Sequence, residues 1–512
     1  MTLVNIQKII GDANLSAQQK SQWLALQAEG MMPYPCQDKS VLDAMASGVI
    51  CDMFEGNAPF KPRYVLPDYE VFLAKGSDYL ELAPATDFDD ALHMLSILYH
   101  HVPSVTGIPV FLGHLDRLLM PYVGELTAHE VYTKLRRFWV MLDRTLPDAF
   151  MHVNIGPSDN LVCRTILAVD AELKQIAPNL TFYYDKDITP ESLLLKACIN
   201  ITECSKPHIA NTPLHNEVFG EGRFGIVSCY NALPLGGGAN TLVRLNLKSL
   251  AQLAISADDF FDNLLEDYCQ RVFTLIDARS EFLHQESGFF NSFLVKEGLI
   301  DEARFVPMFG IFGMAEAVQE LLTLEGCDAR YGYDAAANQL ALRISARLHE
   351  IVSATEVKYG WQQRALLHAQ GGISLDVGVT PGVRIAYGQE PDPVSYVMAT
   401  APQHQYYPSG ISDILTLDAT IKANPTALMD LCLGAFASGY REFTANVESN
   451  DLVRITGYMV KLSDIAKYQA EGSRTNTTFL GAEAADKTQV LARRPRVVSQ
   501  EMSPVFMAKA NS

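Results

Sequence analysis

The sequence predicts an α/β protein with buried strands, and two patterns predict it. Between residues 86 and 430, helix-period segments such as DFDDALHMLSILYHH (87–101), the long stretch 257–284 and AEAVQELLTLEG (315–326) alternate with short apolar runs. GIPVFLG (107–113), FGIVSCY (224–230) and LVRLNL (242–247) are examples of those runs. Loop punctuation, in NIGPSDN (154–160), LPLGGGAN (233–240) and YGQEPDPV (387–394), falls at strand ends, where sites tend to collect.

Residues 1–85 read as a helical and loop-rich outer layer ending near KPRYVLPDYEVF (61–72). Residues 86–430 form the main body, with one helix stopped by Gly326. The segment 431–512 contains most of the helix around PTALMDLCLGAFASGY (425–440), then two strand-like runs, REFTANV (441–447) and LVRITGYMV (452–460). A polar tail follows, expected to wrap the surface.

At 512 residues the chain is well beyond the roughly 250–300 residues at which one core stops growing, so it can enclose a large site. Its N-terminus has no basic start followed by an apolar core, which points to a cytoplasmic protein, and no stretch is apolar enough for a membrane helix. A formal charge of −19 argues against a nucleic-acid partner, which would need a basic face. The nine cysteines include no CxxC pair, so neither a disulfide framework nor a thiolate metal site is expected.

In LVRITGYMVKL (452–462), Gly457 interrupts a run whose β-branched and aromatic neighbours favour a strand. A bulge or close backbone approach is the ordinary explanation. The longer run LVRITGYMVKLSDI (452–465) resembles the C-terminal signature of glycyl radical enzymes, and FASGYREFTANV (436–447) is similar to the segment that precedes it. Across the chain, CDMFEGNAPFKPRYVLPDY (51–69), HHVPSVTGIPVFLG (100–113), ECSKPHIAN (203–211) and SRTNTTFLG (473–481) look like the YjjI-type branch of that superfamily.

The resemblance implies a ten-stranded α/β barrel of two antiparallel five-stranded parallel half-sheets, with helices outside. It implies a radical stored at Gly457, with Arg454 and Tyr458 supporting its loop, and a cysteine that carries the radical to a small organic substrate. It also implies a separate S-adenosylmethionine-dependent activating enzyme bearing an iron–sulfur cluster, no metal or cofactor on this chain, oxygen sensitivity and a homodimer. Glycine suits the radical because a side chain would crowd the planar Cα, and a buried loop keeps the radical from quenching.

Cys229 is the candidate carrier: an apolar run leads in, a Gly-rich turn leads out, and a thiol that donates a hydrogen atom should be neutral. Cys204 is the alternative, in a polar stretch with His208, Asn211 and His215, and Asn231 follows Cys229 closely. Cys204, His208, Asn211 and Asn231 are the candidate pocket residues. His100, His101 and Thr106 are weaker candidates, and the helix dipole explains Glu316.

Three departures keep the reaction subclass open. Dehydratases and decarboxylases of the superfamily have Glu shortly after the active Cys, whereas Tyr230 and Asn231 stand here. Pyruvate formate-lyase has two adjacent cysteines, but Ser228 precedes Cys229. PMFGIFGMAEAV (307–318) is similar to anaerobic ribonucleotide reductases, yet no cysteine follows Cys432 to build their C-terminal zinc site. Two readings compete with radical chemistry: a barrel lyase or hydrolase using His208 and a carboxylate, and a degenerate barrel that only binds.

Overall fold

The strands run in chain order β1 (Ile50–Cys51), β2 (Tyr64–Leu66), β3 (Phe111–His114), β4 (His152–Ile155), β5 (Asn179–Tyr184) and β6 (His208–Asn211). There follow β7 (Phe224–Val227), β8 (Asn231–Pro234), β9 (Gly237–Asn246), β10 (Phe305–Phe312) and β11 (Leu366–Ala369). The last are β12 (Leu415–Leu417), β13 (Glu442–Phe443), β14 (Ala445–Val447), β15 (Leu452–Arg454) and β16 (Met459–Lys461). The computed structural model describes the chain except for residues 1–2, 14, 16, 54–59, 105–109, 146–150, 370–375, 412, 456–458, 473–484, 486–490, 492, 494 and 499–512.

Two five-stranded sheets dominate. In the first, β3, β4, β5 and β6 are parallel and β13 closes one edge antiparallel to β6. In the second, β9, β10 and β11 are parallel, while β1 and β2 pair antiparallel with β9. The parallel cores need crossovers, and helices supply them: Leu161–Leu173 joins β4 to β5, and Glu191–Cys204 joins β5 to β6. Both flanking segments feed the sheets, since β1 and β2 come from the first 85 residues and β13 from the last 82.

Local chemistry starts these helices where the sequence suggests. Asp87 accepts from Asp90 N at 2.9 Å to cap helix Phe88–His101, whose last turn carries His100 and His101. Pro425 opens helix Pro425–Ala437, where its missing N–H costs nothing. The stretch expected as one helix over 257–284 contains a π-turn at Phe260–Leu264 before running on to Gln285.

The β7–β8 hairpin lies between the two sheets, β7 against β3 and β4, and β8 against β9 and β10. The Gly-rich turn expected to lead out of the Cys229 run follows a return strand, β8: Leu235 and Gly236 make the turn, and the next glycines, Gly237 and Gly238, begin β9. They are needed there because strands crowd together: a Cβ on Gly238 would lie 2.0 Å from Tyr64 O.

At the C-terminal end, β12 and β14 pair in parallel, and β15 and β16 form an antiparallel hairpin. Val453, Ile455, Val460 and Ile465 make a small core of their own, separate from the main one. The tail returns beside β12, with Arg496 N donating to Thr416 O at 2.9 Å. Among the described residues no helix is long and apolar enough to cross a membrane.

Candidate active site between the two sheets

Register decides what the first sheet presents to the interior. His152 lies opposite Asn179, Asn154 opposite Thr181, Thr181 opposite His208, Tyr183 opposite Ala210, and Ala210 opposite Glu442. Side chains alternate along a strand, so one face carries His152, Asn154, Asn179, Thr181, Tyr183, His208 and Glu442. The other carries Val153, Ile155, Leu180, Phe182, Ile209 and Phe443, whose burial supplies about 1.5–3 kcal/mol for each large side chain. Parallel strands buried on both faces are normally apolar throughout, so a buried polar face marks a site rather than a core.

That face holds the Cys229 hairpin. The Asn154 carboxamide donates to Ile226 O (3.0 Å) and accepts from Ile226 N (2.9 Å), acting as a strand partner for β7. His114 Nε2 donates to Phe224 O at 3.0 Å, which fixes its tautomer. The tip is Ser228–Tyr230, and both residues flanking Cys229 have positive φ, +50° and +62°. Such backbone costs on the order of 1–3 kcal/mol per residue and persists only where the surroundings impose it.

Asn231 Nδ2 donates to Val227 O at 3.0 Å and ties the base of the loop. Tyr64 OH donates to Ser228 Oγ at 3.1 Å, and that hydroxyl lies 3.9 Å from Cys229 Sγ. The thiol is 3% exposed.

The C-terminal hairpin reaches the same place. Asn446 repeats the device of Asn154: its Oδ1 accepts from Arg454 N (2.8 Å) and its Nδ2 donates to Arg454 O (2.9 Å). The Arg454 side chain enters the polar face, Nη1 donating to Asn179 Oδ1 at 2.8 Å, with its guanidinium 5.7 Å from the Tyr230 ring centre. His208 meets the same ring edge-on at 4.5 Å. Burial first, and then the Arg454 charge, push His208 well below its ordinary value, so it is neutral. Gly457, Tyr458 and Thr106 lie outside the described residues.

The structure brings His208, Asn231, Arg454 and Cys229 together. Cys204 is engaged elsewhere: its thiol contacts Asn200 Oδ1 (3.3 Å) and Asp170 Oδ2 (3.6 Å), beside the buried Lys206–Asp170 ion pair at 2.6 Å. Burial pushes that thiol up, so it is not a thiolate. Asn211 donates to Tyr440 O at 3.0 Å at the edge of the sheet. His100 and His101 are exposed, and Glu316 accepts from Thr380 N at 2.9 Å as a loop tie.

Glu442 was not singled out from the sequence and His215 only in passing, although both face this interior. The alternation of polar residues in MHVNIG, NLTFYY and HIAN marks the polar face they adjoin, but those segments contain neither residue. Among the described residues no group of His, Cys, Asp and Glu could hold a metal ion.

Residues 15–496 match the family described as glycyl radical enzyme YjjI-like. The chain belongs to that family. This YjjI-like enzyme is 63% identical over 501 residues to the YjjI protein of Escherichia coli (strain K12), covering 98% of this chain and 97% of that one. It is 41% identical over 458 residues to a protein of Haemophilus influenzae, covering 88% of each.

Solved structures share its fold at low identity. The protein of 1,2-propanediol dehydration in Roseburia inulinivorans gives a TM-score of 0.73 at 12% identity, covering 94% of this chain and 86% of that chain. Hydroxyproline dehydratase from Clostridioides difficile gives 0.68 at 13%, covering 97% and 89%. The anaerobic ribonucleotide reductase of Thermotoga maritima, with dATP and CTP, gives 0.65 at 12%, covering 88% and 90%. The YjjI-like enzyme thus has the ten-stranded α/β barrel of glycyl radical enzymes, built on its two five-stranded sheets.

Proposed function

We propose that Gly457 stores the radical and that Cys229 delivers it to a small organic substrate held between the two sheets. The observation that carries this reading is the Arg454–Tyr230 contact at 5.7 Å, which brings the strand leading to Gly457 against the residue that follows Cys229. Membership of the family supports it, as does the strained hairpin tip that presents the thiol.

Each step moves one hydrogen atom. A separate S-adenosylmethionine-dependent activating enzyme with an iron–sulfur cluster takes one from Gly457 Cα, and the glycyl radical then takes one from the Cys229 thiol. The thiyl radical takes one from a substrate C–H bond, and the product radical recovers it from the thiol, so both residues end as they began. The surrounding chain orients the substrate and excludes water, while the radical supplies the bond-breaking power. Hydroxyl, amide and imidazole groups on the polar face suit a small hydroxylated substrate.

The working form in this reading is a cytoplasmic, oxygen-sensitive homodimer of three units, 1–85, 86–430 and 431–512. The last unit, centred on the small core around Val453 and Val460, swings out to expose Gly457 to the activating enzyme.

The test is anaerobic activation followed by electron paramagnetic resonance. Wild type is expected to show a hydrogen-split doublet that collapses in D2O, because the glycine hydrogen exchanges through the thiol. Cys229→Ser should keep the doublet and lose the exchange, and Gly457→Ala should show no doublet. A doublet in Gly457→Ala, or D2O collapse in Cys229→Ser, overturns the assignment.

A further inference from the structure

Four buried side chains beside the Cys229 hairpin have polar atoms with no hydrogen-bond partner among the described residues. Glu442 uses neither carboxyl oxygen and His215 neither ring nitrogen; Asn231 leaves Oδ1 and Thr212 leaves Oγ1 without a partner. Glu442 is 2% exposed, and His215 is fully buried. Buried polar atoms are normally hydrogen-bonded, so a cluster of exceptions in one place is a cavity wall waiting for a ligand's groups.

Its position fits the chemistry already assigned to the hairpin. Glu442 pairs with Ala210 on the inward face of the first sheet, and His215 stacks on Phe224 of β7 at 5.1 Å. A Cβ on Gly410 would sit 3.3 Å from Glu442 Oε1 and 1.9 Å from Tyr230 O. The bare glycine therefore lets the backbone at 410 pack against Tyr230, the residue after Cys229, with the Glu442 carboxyl on the same flank. His215 Nε2 and Glu442 Oε1 stand 3.7 Å apart, too far for a direct hydrogen bond and close enough for one substrate atom or water to bridge.

We propose that Glu442, with His215 beside it, is the proton-transfer couple of this site, and that the substrate carries a hydroxyl or amino group next to the C–H bond that Cys229 attacks. The inference rests on the radical reading above and adds to it a polar half-reaction. The bond that breaks joins a second oxygen or nitrogen to the carbon beside the radical centre; the Glu442 proton passes to that heteroatom, which leaves with the bonding pair as water or a neutral amine. The neighbouring hydroxyl or amino group gives its proton to the imidazole, and the imidazole returns it to the carboxylate. No electron is gained or lost in this exchange, and the couple ends in its starting state.

Among the described residues, the charged and titratable groups facing the carboxyl agree with these roles. Burial raises Glu442 well above the carboxylate range although Arg441 opposes it, and Arg441 is itself drawn off by Leu214 O at 2.6 Å. Tyr183 and Tyr230, the phenols facing it, are raised by burial and stay neutral. Burial lowers His215 to about 3. The pair is thus a protonated acid beside a neutral base, the arrangement that proton relay requires.

Three variants test this. Glu442→Met removes a carboxyl that has no hydrogen-bond partner among the described residues, so its Tm should equal or exceed that of wild type; a structural carboxyl would lower it. Infrared difference spectra of wild type minus Glu442→Gln at pH 7 should show a protonated carboxyl band that shifts in D2O. A lower Tm, or a carboxylate band in place of the acid band, overturns the proposal.

After activation, Glu442→Gln and His215→Asn should keep the doublet and its D2O collapse. Glu442→Gln should consume the substrate found in a deproteinised small-molecule extract of anaerobically grown cells at least ~100-fold more slowly. Turnover at the wild-type rate in Glu442→Gln also overturns it. A missing doublet in wild type instead counts against the radical reading alone.

Discussion

The guanidinium of Arg454 faces the ring of Tyr230 at 5.7 Å, and through that contact the two hairpins of the site are held together. A desolvated cation–π pair of this kind contributes about 2 kcal/mol. Asn179 shares the guanidinium, so the contact also anchors both hairpins to the first sheet.

Replacing Arg454 with Met should therefore reduce the radical yield after activation without unfolding the barrel. Lys should restore only part of it, because a point charge lacks the planar fork that reaches Asn179 while lying on the ring. Spin counting by electron paramagnetic resonance reads the yield, and thermal melting reads the fold.

Asn446→Ala strips both main-chain bonds from Arg454 and leaves two buried backbone groups unpaired, at a cost of roughly 1–3 kcal/mol each. The Arg454 amide should exchange with solvent orders of magnitude faster. Asn446→Asp keeps the acceptor and loses the donor, so its effect should be intermediate.

Gly410→Ala drives a methyl group to 1.9 Å from Tyr230 O at a residue with φ of +106°. Overpacking and backbone strain together should cost on the order of 3 kcal/mol or more. A urea melt checks the loss, and D2O collapse of the radical doublet should disappear with it.

His215 predicts an acid limit. Burial takes its folded value from 6.5 to about 3, so between those pH values the unfolded chain binds a proton that the folded chain refuses. Its contribution to stability is complete above 6.5 and is lost as pH falls toward 3. His215→Asn should flatten the stability–pH curve over that window, measured by denaturant midpoints from pH 7 to pH 4.

Hydrogen exchange should find β15 and β16 opening before β4 and β5. The hairpin rests on its own few apolar side chains, whereas the sheet belongs to the main core. Equal protection in both places would remove the basis for an opening C-terminal unit.

Much of this was legible in the sequence. Asp87 and Pro425 start helices where their chemistry requires, and the apolar run before Cys229 is a strand that ends at Val227, two residues before it. The return strand after Cys229 was hidden because Asn231 and Pro234 are weak strand formers, and packing between β3 and β9 overrides their preference. The flanking residues favour Cys229 over Cys204, and the tertiary structure adds that the Cys204 thiol is engaged with Asn200 and Asp170.

By itself the sequence determined the class of fold, the family signature around Gly457 and the candidate thiol, because these depend on local periodicity and residue type. The tertiary structure alone decided which polar side chains share the interior. Glu442 and His215 are 227 positions apart, and their approach depends on the register of β13 against β6; the packing of Gly410 against Tyr230 beside that carboxyl is likewise marked by no local pattern. Register and close approach are set by long-range pairing, which leaves no trace in the spacing of neighbouring residues.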